Sequence, residues 1–565
     1  MTALVALPWV SWPVGAADEG APPEPAVSPA FGIKHDKHRG RRGKPAVNES
    51  PFRSIDGSGN NFADPQMGSA FSQLRRRIPA QYADGISELA GPFRPSARAV
   101  SNGMAAQAED LPNPLRASDY LWQWGQFLDH DIDLTDGTDP PEPANILVPV
   151  GDPWFDPDGT GTQEIALNRS IYDPDSGVTT ARQQLNEITA WIDASNVYGS
   201  DPVRAAALRT NDGSGRLKTS AGNLLPFNLE GLPNAGGEGT DLFLAGDVRA
   251  NEQVGLTAMH TLFVREHNRL AENIAADNPD LSGEEIYQWA RATVAAQIQV
   301  ITYYEYLPAL LGKRALKRYK GYDPTVDAGI ANIFSGAAFR LGHSQLSSQL
   351  LRLDRDLDSI DEGPLALRDA FFSPSRIIVE GGIEPLLRGL AHQQAQRIDP
   401  YVVDEVRNFL FGPPGAGGFD LAALNVQRGR DHGLPSYVEA RRALGLSVPA
   451  NFADITSDPE IRARLVATYA SVEDIDLFTG GLAEEPLHQG HLGPLFAEIV
   501  AEQFEALRDG DRYWYKRNFD SYAAYVIKET RLSDIIRRNT SIDDEIPDDV
   551  FHLPPRHGDG KKKKK

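Results

Sequence analysis

A mainly α-helical, large single-domain fold is the class this sequence predicts, and three observations predict it. Long stretches carry apolar residues at helical spacing, above all Leu256 to Ala276 and Glu284 to Leu307. Strand-like runs are few and short, Arg376 to Glu380 being one. No break in composition divides residues 48–555, and no repeat of roughly 20–50 residues is visible. That span exceeds the usual size of one hydrophobic core, and a cofactor buried at its centre would account for it.

The elements follow in order. Met1 to Ala17 is apolar and ends in Gly-Ala-Ala, like the end of an export signal. It lacks a positive start, and Pro8 and Pro13 interrupt it, so it reads as an atypical or truncated signal of a secreted protein. Residues 18–47 are rich in Pro, Gly, Ala and charge, the composition of a disordered basic linker. Order is expected from Asn48. Ser118 is the candidate N-cap of a helix running to His130. Further helices are expected at Asp404 to Leu410, Pro459 to Tyr469 and Pro494 to Leu507, with Gly/Pro-rich loops at 137–161, 212–240 and 412–418. Residues 556–565 form a basic tail.

Charge and cysteine exclude whole classes. The 565 residues carry a net charge of −22. Lys34 to Lys44 holds six Lys/Arg and one Asp, and Lys561 to Lys565 adds five lysines, which leaves −32 for the body. An acidic body argues against nucleic acid or anionic membrane as the main partner. No apolar run reaches the ~18–20 residues of a transmembrane segment. With no cysteine, disulfides, thiolate metal sites and a cysteine nucleophile are all absent. No Gly-x-Ser-x-Gly elbow, phosphate loop or His-Glu-x-x-His helix is present either.

Attention moves to the 12 histidines. Gln126 and His130 are i, i+4 and share a helix face, with Asp129 and Asp131 flanking the histidine. Such a pair suits acid–base work on a small oxygen substrate, or is a satisfied core histidine beside two solvated acids. His343 follows Arg340 and Gly342 after a small, apolar stretch, where a flat ligand could approach the backbone. Imidazole there is a candidate haem-iron ligand, or again a core histidine. Arg249 and Glu252 precede a long helix and could be a plain surface ion pair. Thr189, Asp193 and Ser195, with Asp131, offer the hard oxygens that Ca²⁺ prefers, although such turns are common without metal. Asn425, Arg428 and His432 form a polar knot after a glycine-rich loop.

Taken together, these motifs resemble the animal-type haem peroxidase family, the peroxidase–cyclooxygenase superfamily. The resemblance runs from Ser54 to about Pro555. It rests on Trp-Gly-Gln-Phe-Leu-Asp-His-Asp, Asp-Ala-Ser-Asn-Val-Tyr-Gly, Arg-Glu-His-Asn-Arg-Leu, Glu-Gly-Gly-Ile-Glu-Pro and Arg-Asp-His-Gly-Leu-Pro, with Arg-Asp-Gly-Asp-Arg-Tyr-Trp near the end. It implies a central haem b between helices, a distal acid/base at His130, a halide- and water-binding Gln126 and a distal cation at Arg249. It implies His343 as the proximal iron ligand, with Asn425 accepting the proton of its other ring nitrogen. Asp129 and Glu252 match positions that ester-link to haem methyls, and Arg340 and Arg428 match propionate-pairing positions. Asp131, Thr189, Trp191 (through its carbonyl), Asp193 and Ser195 match the ligands of one Ca²⁺. The implied partners are hydrogen peroxide and small anionic or aromatic donors, in a response to oxidative stress.

Departures from the family pattern sharpen this. The slot of a third, sulfonium haem link in the mammalian granulocyte enzyme is Gln253, and the chain has only four methionines, none of them there. Two ester links and a less oxidising haem are therefore expected, with iodide, thiocyanate, bromide and phenols preferred over chloride. The fatty-acid dioxygenase branch places a radical tyrosine three residues before the proximal histidine. Arg340 stands there, which disfavours a lipid dioxygenase. A non-catalytic adhesion module on the same fold is disfavoured by the presence of Gln126, His130, Arg249 and His343. Because vertebrate members are disulfide-bonded, the cysteine-free chain looks like a bacterial-type, peroxidasin- or peroxinectin-like member.

Overall fold

The computed structural model describes residues 50–554. The signal-like stretch, the linker over 18–47 and the tail at 556–565 lie outside the described residues. Five helices position the site. They are α1 (Tyr120–Ile132), α2 (Val254–Asp277), α3 (Gly283–Ile301), α4 (Leu421–Asp431) and α5 (Pro494–Asp509). A 3₁₀ segment, Ala338–Gln345, carries His343.

Helices α2 and α3 pack along each other, and α1 lies against both α2 and the 3₁₀ segment. Helices α4 and α5 close on the 3₁₀ segment as well. Helix α1 buries Leu121, Trp124, Phe127, Leu128 and Ile132, so apolar side chains leave it on most sides, as in a core helix. Gly125 is required there: a Cβ would lie 3.0 Å from the Tyr306 hydroxyl oxygen. Helix α3 starts with a capping box, the Ser282 hydroxyl accepting from the Glu285 N–H while the Glu285 carboxylate accepts from the Ser282 N–H. The ladders are short: Ser72–Gln73 with Leu185–Asn186, Ile146–Leu147 with Glu164–Ile165, and Gln349–Leu350 with Leu365–Ala366, all antiparallel. Among the described residues no helix is long and apolar enough to cross a membrane.

Four expectations change. Ser118 does not cap α1. Its hydroxyl bonds to the Val550 carbonyl, and Asp119 takes the N-cap position without a capping hydrogen bond. Arg376 to Glu380 is not a strand: Ser375–Val379 is a short helix. Only Ile377 of its apolar residues is buried, and Val379 is 72% exposed, so it has neither a partner strand nor an apolar face to lay on one. The helix at Asp404 stops at Arg407, because Asn408 bonds back to Asp404 and Leu410 turns away to pair with Phe419. The run to Leu307 is α-helical only to Ile301. A π turn, Thr302–Tyr306, then inserts an extra residue before Leu307–Leu311.

Ion pairs tie distant parts of the chain. Arg98, wholly buried, bridges Asp152 (2.8 Å) and Asp420 (2.6 Å), the latter being the N-cap of α4. Asp511 accepts from Arg53 (2.6 Å), Asn60 (2.9 Å) and Gln299 (3.1 Å), which joins the first described residues to the segment after α5.

Candidate active site

Helix α1 turns Gln126, Asp129 and His130 toward the turn that leads into α2. That turn is tight. The Glu252 N–H donates to the Arg249 carbonyl (2.8 Å), and the Arg249 N–H to Asp247 Oδ1 (2.8 Å). Asp247 also grips the Arg249 side chain, taking Nε on Oδ1 (2.9 Å) and Nη2 on Oδ2 (2.8 Å). Its Oδ1 lies 3.4 Å from His130 Nδ1, an ion-pair distance and long for a hydrogen bond. Glu252 Oε2 lies 3.9 Å from His130 Nε2 and accepts from Gln126 Nε2 at 3.2 Å. Arg249 Nη1 stands 3.7 Å from Asp129. His130, Arg249, Gln126, Asp129 and Glu252 are thus brought together.

Asp247 was not legible in that way. It is 2% exposed and touches both His130 and Arg249. The signal was present as an Asp-x-Arg pair, in which an Asp side chain commonly bonds the backbone two residues on. Burial drives its carboxyl up, but Arg249 and His130 outweigh burial and hold it below the ordinary carboxylate range. Burial and Arg249 push His130 well below the ordinary imidazole range, so it is neutral and able to accept a proton. Gln253 is a second unforeseen contact. Its Oε1 caps α2 by accepting from the Gly255 N–H (2.6 Å), while its Nε2 donates to Gln123 (2.7 Å) and Gln126 (3.0 Å) of α1.

On the opposite wall, His343 Nδ1 pairs with the Asn425 side-chain amide at 2.8 Å. The amide presents its nitrogen to the ring and its oxygen to Arg340 Nη1 (3.2 Å). This is the reverse of the expected sense. A half-turn of the amide would let its oxygen accept from Nδ1–H, which leaves Nε2 free to bind metal. His343 Nε2 makes no hydrogen bond among the described residues. Burial and Arg340 push the ring's basicity down to about 3.

The polar groups on these walls enclose a hollow. Asp129 and Glu252 sit deep in the protein, yet 32% and 23% of their side chains are reachable from solvent-sized space. Gln126, Arg249, Arg340, Gly342, His343 and Arg428 are likewise only partly covered. A Cβ at Gly342 would meet nothing within 4 Å. Burial, joined by Asp133, pushes the Asp129 carboxyl up to about 8, and burial raises Glu252 to about 7. At one end Arg340 and Arg428 repel each other, and neither Nη2 hydrogen-bonds among the described residues. Arg428 is already paired with Asp431 (3.2 Å), whereas Arg340 has no ion pair among the described residues and calls for an anionic arm on whatever fills the space.

Asp131 turns the other way along α1, into the loop 189–196. Its carboxylate accepts from the Ala194 N–H (3.2 Å) and the Ser195 hydroxyl (3.2 Å). Asp193 accepts from the Thr189 hydroxyl (3.1 Å), while its Oδ2 is buried without a partner. Ala194 adopts a left-handed φ of 65°, which lets the turn present Asp193 and Ser195. Trp191 is buried, its indole N–H donating to the Gly57 carbonyl (3.1 Å). Burial raises both carboxyls, and the charge of Asp193 adds to the rise at Asp131. Arg53 and Arg291 lie near enough to Asp193 to offset part of its charge. Among the described residues no cluster of three or more His, Cys, Asp or Glu could hold a metal. A cation here would rest on two carboxylates, two hydroxyls and the Trp191 carbonyl.

A buried histidine and a partly covered arginine share one carboxylate beside this hollow, with a second histidine on the 3₁₀ segment packed against helix α1, and this defines a class. The chain belongs to the animal haem peroxidase family, whose family model matches residues 52–551. It is 37% identical over 524 residues to peroxinectin A of Dictyostelium discoideum, covering 89% of this chain and 96% of that protein. It is 37% identical over 561 residues to a peroxidasin homolog of Caenorhabditis briggsae, covering 89% of this chain but only 43% of that one. The chain therefore spans less than half the length of its peroxidasin relatives. The solved structure of peroxidase A from Dictyostelium discoideum matches with a TM-score of 0.82 at 34% identity, covering 89% of this chain and 100% of that one. A fatty acid alpha-dioxygenase from Oryza sativa shares the fold alone, with a TM-score of 0.76 at 22% identity. Haem comes with the family, and the residues fit it: a His343 Nε2 without a hydrogen bond among the described residues, open space over Gly342 and an Arg340 guanidinium without an ion pair among them.

Proposed function

We propose that this chain reduces hydrogen peroxide and oxidises small donors, namely iodide, thiocyanate, bromide and phenols. The observation that carries the reading is the grouping of neutral His130 and cationic Arg249 on one carboxylate, Asp247, across the hollow from His343. A haem bound between these walls supplies the iron that accepts peroxide and stores its oxidising equivalents. His343 Nε2 would hold the iron, with Asn425 fixing the ring tautomer. Arg340 and Arg428 would hold the propionates, and Asp129 and Glu252 would ester-link to the macrocycle.

The protein's own steps follow. His130 Nε2 takes the proton from the incoming peroxide and returns it to the departing oxygen. Arg249 stabilises negative charge on that oxygen, at a place where little water competes. Asp247 keeps the guanidinium and the imidazole aimed at one point. Gln126, pinned by Gln253 and Glu252, presents its amide to a bound water or halide. A Ca²⁺ held by Asp131, Thr189, Trp191, Asp193 and Ser195 would anchor the residue after His130. Gln253 in place of a sulfonium-forming methionine supports two links and a donor range short of chloride. Secretion belongs to the same proposal and rests on Met1–Ala17.

An absorption spectrum followed by acidic organic extraction tests the reading. A Soret band, peroxide-dependent iodide oxidation and haem that stays with the protein after peroxide treatment are expected. Haem that extracts completely after peroxide rejects Asp129 and Glu252 as linkers. A folded protein that takes up no haem favours an interaction module. Oxygen uptake with fatty acid and no peroxide favours a dioxygenase.

A further inference from the structure

We propose a second oxidation site at the protein surface, at Tyr304, which takes electrons from phenols too large to enter the hollow and passes them inward along a file of aromatic rings. It rests on the peroxidase reading for its oxidant. Its route rests on geometry that the distal site does not use.

The file starts at Phe339, four residues before His343 on the same 3₁₀ segment. Phe339 meets Phe504 of α5 at 5.6 Å between ring centroids, and Phe504 meets Tyr303 at 6.2 Å. Tyr303 meets Trp514 at 4.8 Å, and Trp514 meets Tyr515 at 4.9 Å. Tyr515 and Tyr304 are 6.4 Å apart by centroid, with their hydroxyl oxygens at 2.8 Å. The π turn Thr302–Tyr306 lets neighbouring residues serve opposite ends of the file. Tyr303 is 7% exposed and faces in, whereas Tyr304 is 41% exposed and faces out.

Proton acceptors decide where a missing electron comes to rest. A phenol holds an electron vacancy only if its proton can leave, and an indole that keeps its proton holds it only as a strongly oxidising cation radical. The Tyr303 hydroxyl donates to the Phe504 carbonyl (2.5 Å), which is not a base. The buried Trp514 indole N–H has no partner. Neither can shed its proton, so both pass the vacancy on. The buried Tyr515 shares a hydroxyl–hydroxyl hydrogen bond with the exposed Tyr304, from which a proton can be released to water. The ammonium groups of Lys516 and Lys528 stand 5.8 and 5.5 Å from the Tyr304 ring centroid. Their charge disfavours a cation radical and so favours losing proton and electron together.

The balance is simple. Tyr304 loses one electron, which travels inward to the peroxide-oxidised haem, and one proton, which leaves its own exposed phenol for water. The tyrosyl radical then takes a hydrogen atom from an external phenol, which restores Tyr304 and leaves a phenoxyl radical. Two such events consume the two oxidising equivalents of one peroxide.

The test uses the haem-loaded full chain and a phenol coupled to a high-molecular-weight dextran, with no halide present. Tyr304→Phe is expected to lower oxidation of the dextran-linked phenol at least tenfold and to leave iodide oxidation, assayed separately, unchanged. After peroxide alone, a nitroso spin trap read by mass spectrometry should label Tyr304 or Tyr515 in the wild type. Trp514→Phe should lose that label while keeping the Soret band. Equal oxidation of the dextran-linked phenol by wild type and Tyr304→Phe overturns the proposal, as does a label that avoids both tyrosines or survives Trp514→Phe. Iodide oxidation by the wild type reports separately on the peroxidase reading beneath it.

Discussion

Replacing Asp247 by asparagine removes one charge and almost no volume, so it isolates what that carboxylate does. The wild-type group accepts three hydrogen bonds from Arg249, at 2.8, 2.8 and 2.9 Å, and lies 3.4 Å from His130. Asparagine keeps one acceptor and turns an NH₂ toward the guanidinium or the imidazole. At least one charged hydrogen bond is then lost, at about 1.5–3 kcal/mol. Arg249, with 14% of its side chain exposed, is left short of its counter-ion, and breaking a buried pair costs about 3–5 kcal/mol at the upper end. We expect Asp247→Asn to lose about 2–4 kcal/mol of stability. If about 3–4 kcal/mol of that support is felt in the transition state, the reaction with peroxide slows by about 10²–10³-fold. Stopped-flow absorbance of the haem-loaded protein measures the rate, and urea unfolding measures the stability. A variant within threefold of the wild type in rate, with an unchanged urea midpoint, refutes the reasoning.

The other expectations concern acid, the α1–α2 brace and calcium. Burial pushes His267 and His491 down to about 4 in the folded protein, below the ordinary value of 6.5, so the unfolded chain takes up protons first. Stability that is intact above pH 6.5 should fall by about 1.4 kcal/mol per pH unit for each histidine, down to about pH 4. Equal urea midpoints near neutrality and near about pH 5 would contradict this. Gln253→Met should cost about 1–2 kcal/mol, through loss of the α2 cap and of the bonds to Gln123 and Gln126. It should also alter the ratio of iodide to bromide turnover, and an unchanged ratio would mean that Gln126 needs no pinning. Chelation should lower the Tm, and calcium at about a hundredfold over its Kd should restore about 3 kcal/mol. A Tm indifferent to chelator, in a protein that metal analysis finds free of calcium, removes calcium from the account.

The parts of the site that lie close along the chain were readable from sequence. Gln126, Asp129, His130 and Asp131 occupy one helical turn and a half, so helix geometry alone predicts which of them share a face. Gln126 and His130 share a face and Asp131 points elsewhere, into the loop 189–196, whereas Asp129, expected to point elsewhere as well, lies beside Arg249. Asp247 could not be read so easily, because its importance comes from reaching His130 across 117 positions. The setting of the Asn425–His343 bond was equally hidden, since Arg340, 85 positions from Asn425, competes for the amide oxygen. Local propensity misled at Arg376 to Glu380, where β-branched residues suggest a strand but no neighbouring strand exists to accept one. At Ser118 a good capping residue was drawn off by the Val550 carbonyl, more than 400 positions away.

The junction at Asp511 also bears on how the molecule is made. Its partners Arg53 and Asn60 lie more than 450 positions earlier. These bonds cannot form until nearly the whole chain has left the ribosome, and such distant pairings are slow to close. In a chain without disulfides, Asp511 ties positions far apart in the sequence by a buried ion pair, which forms and breaks with no oxidant or reductant.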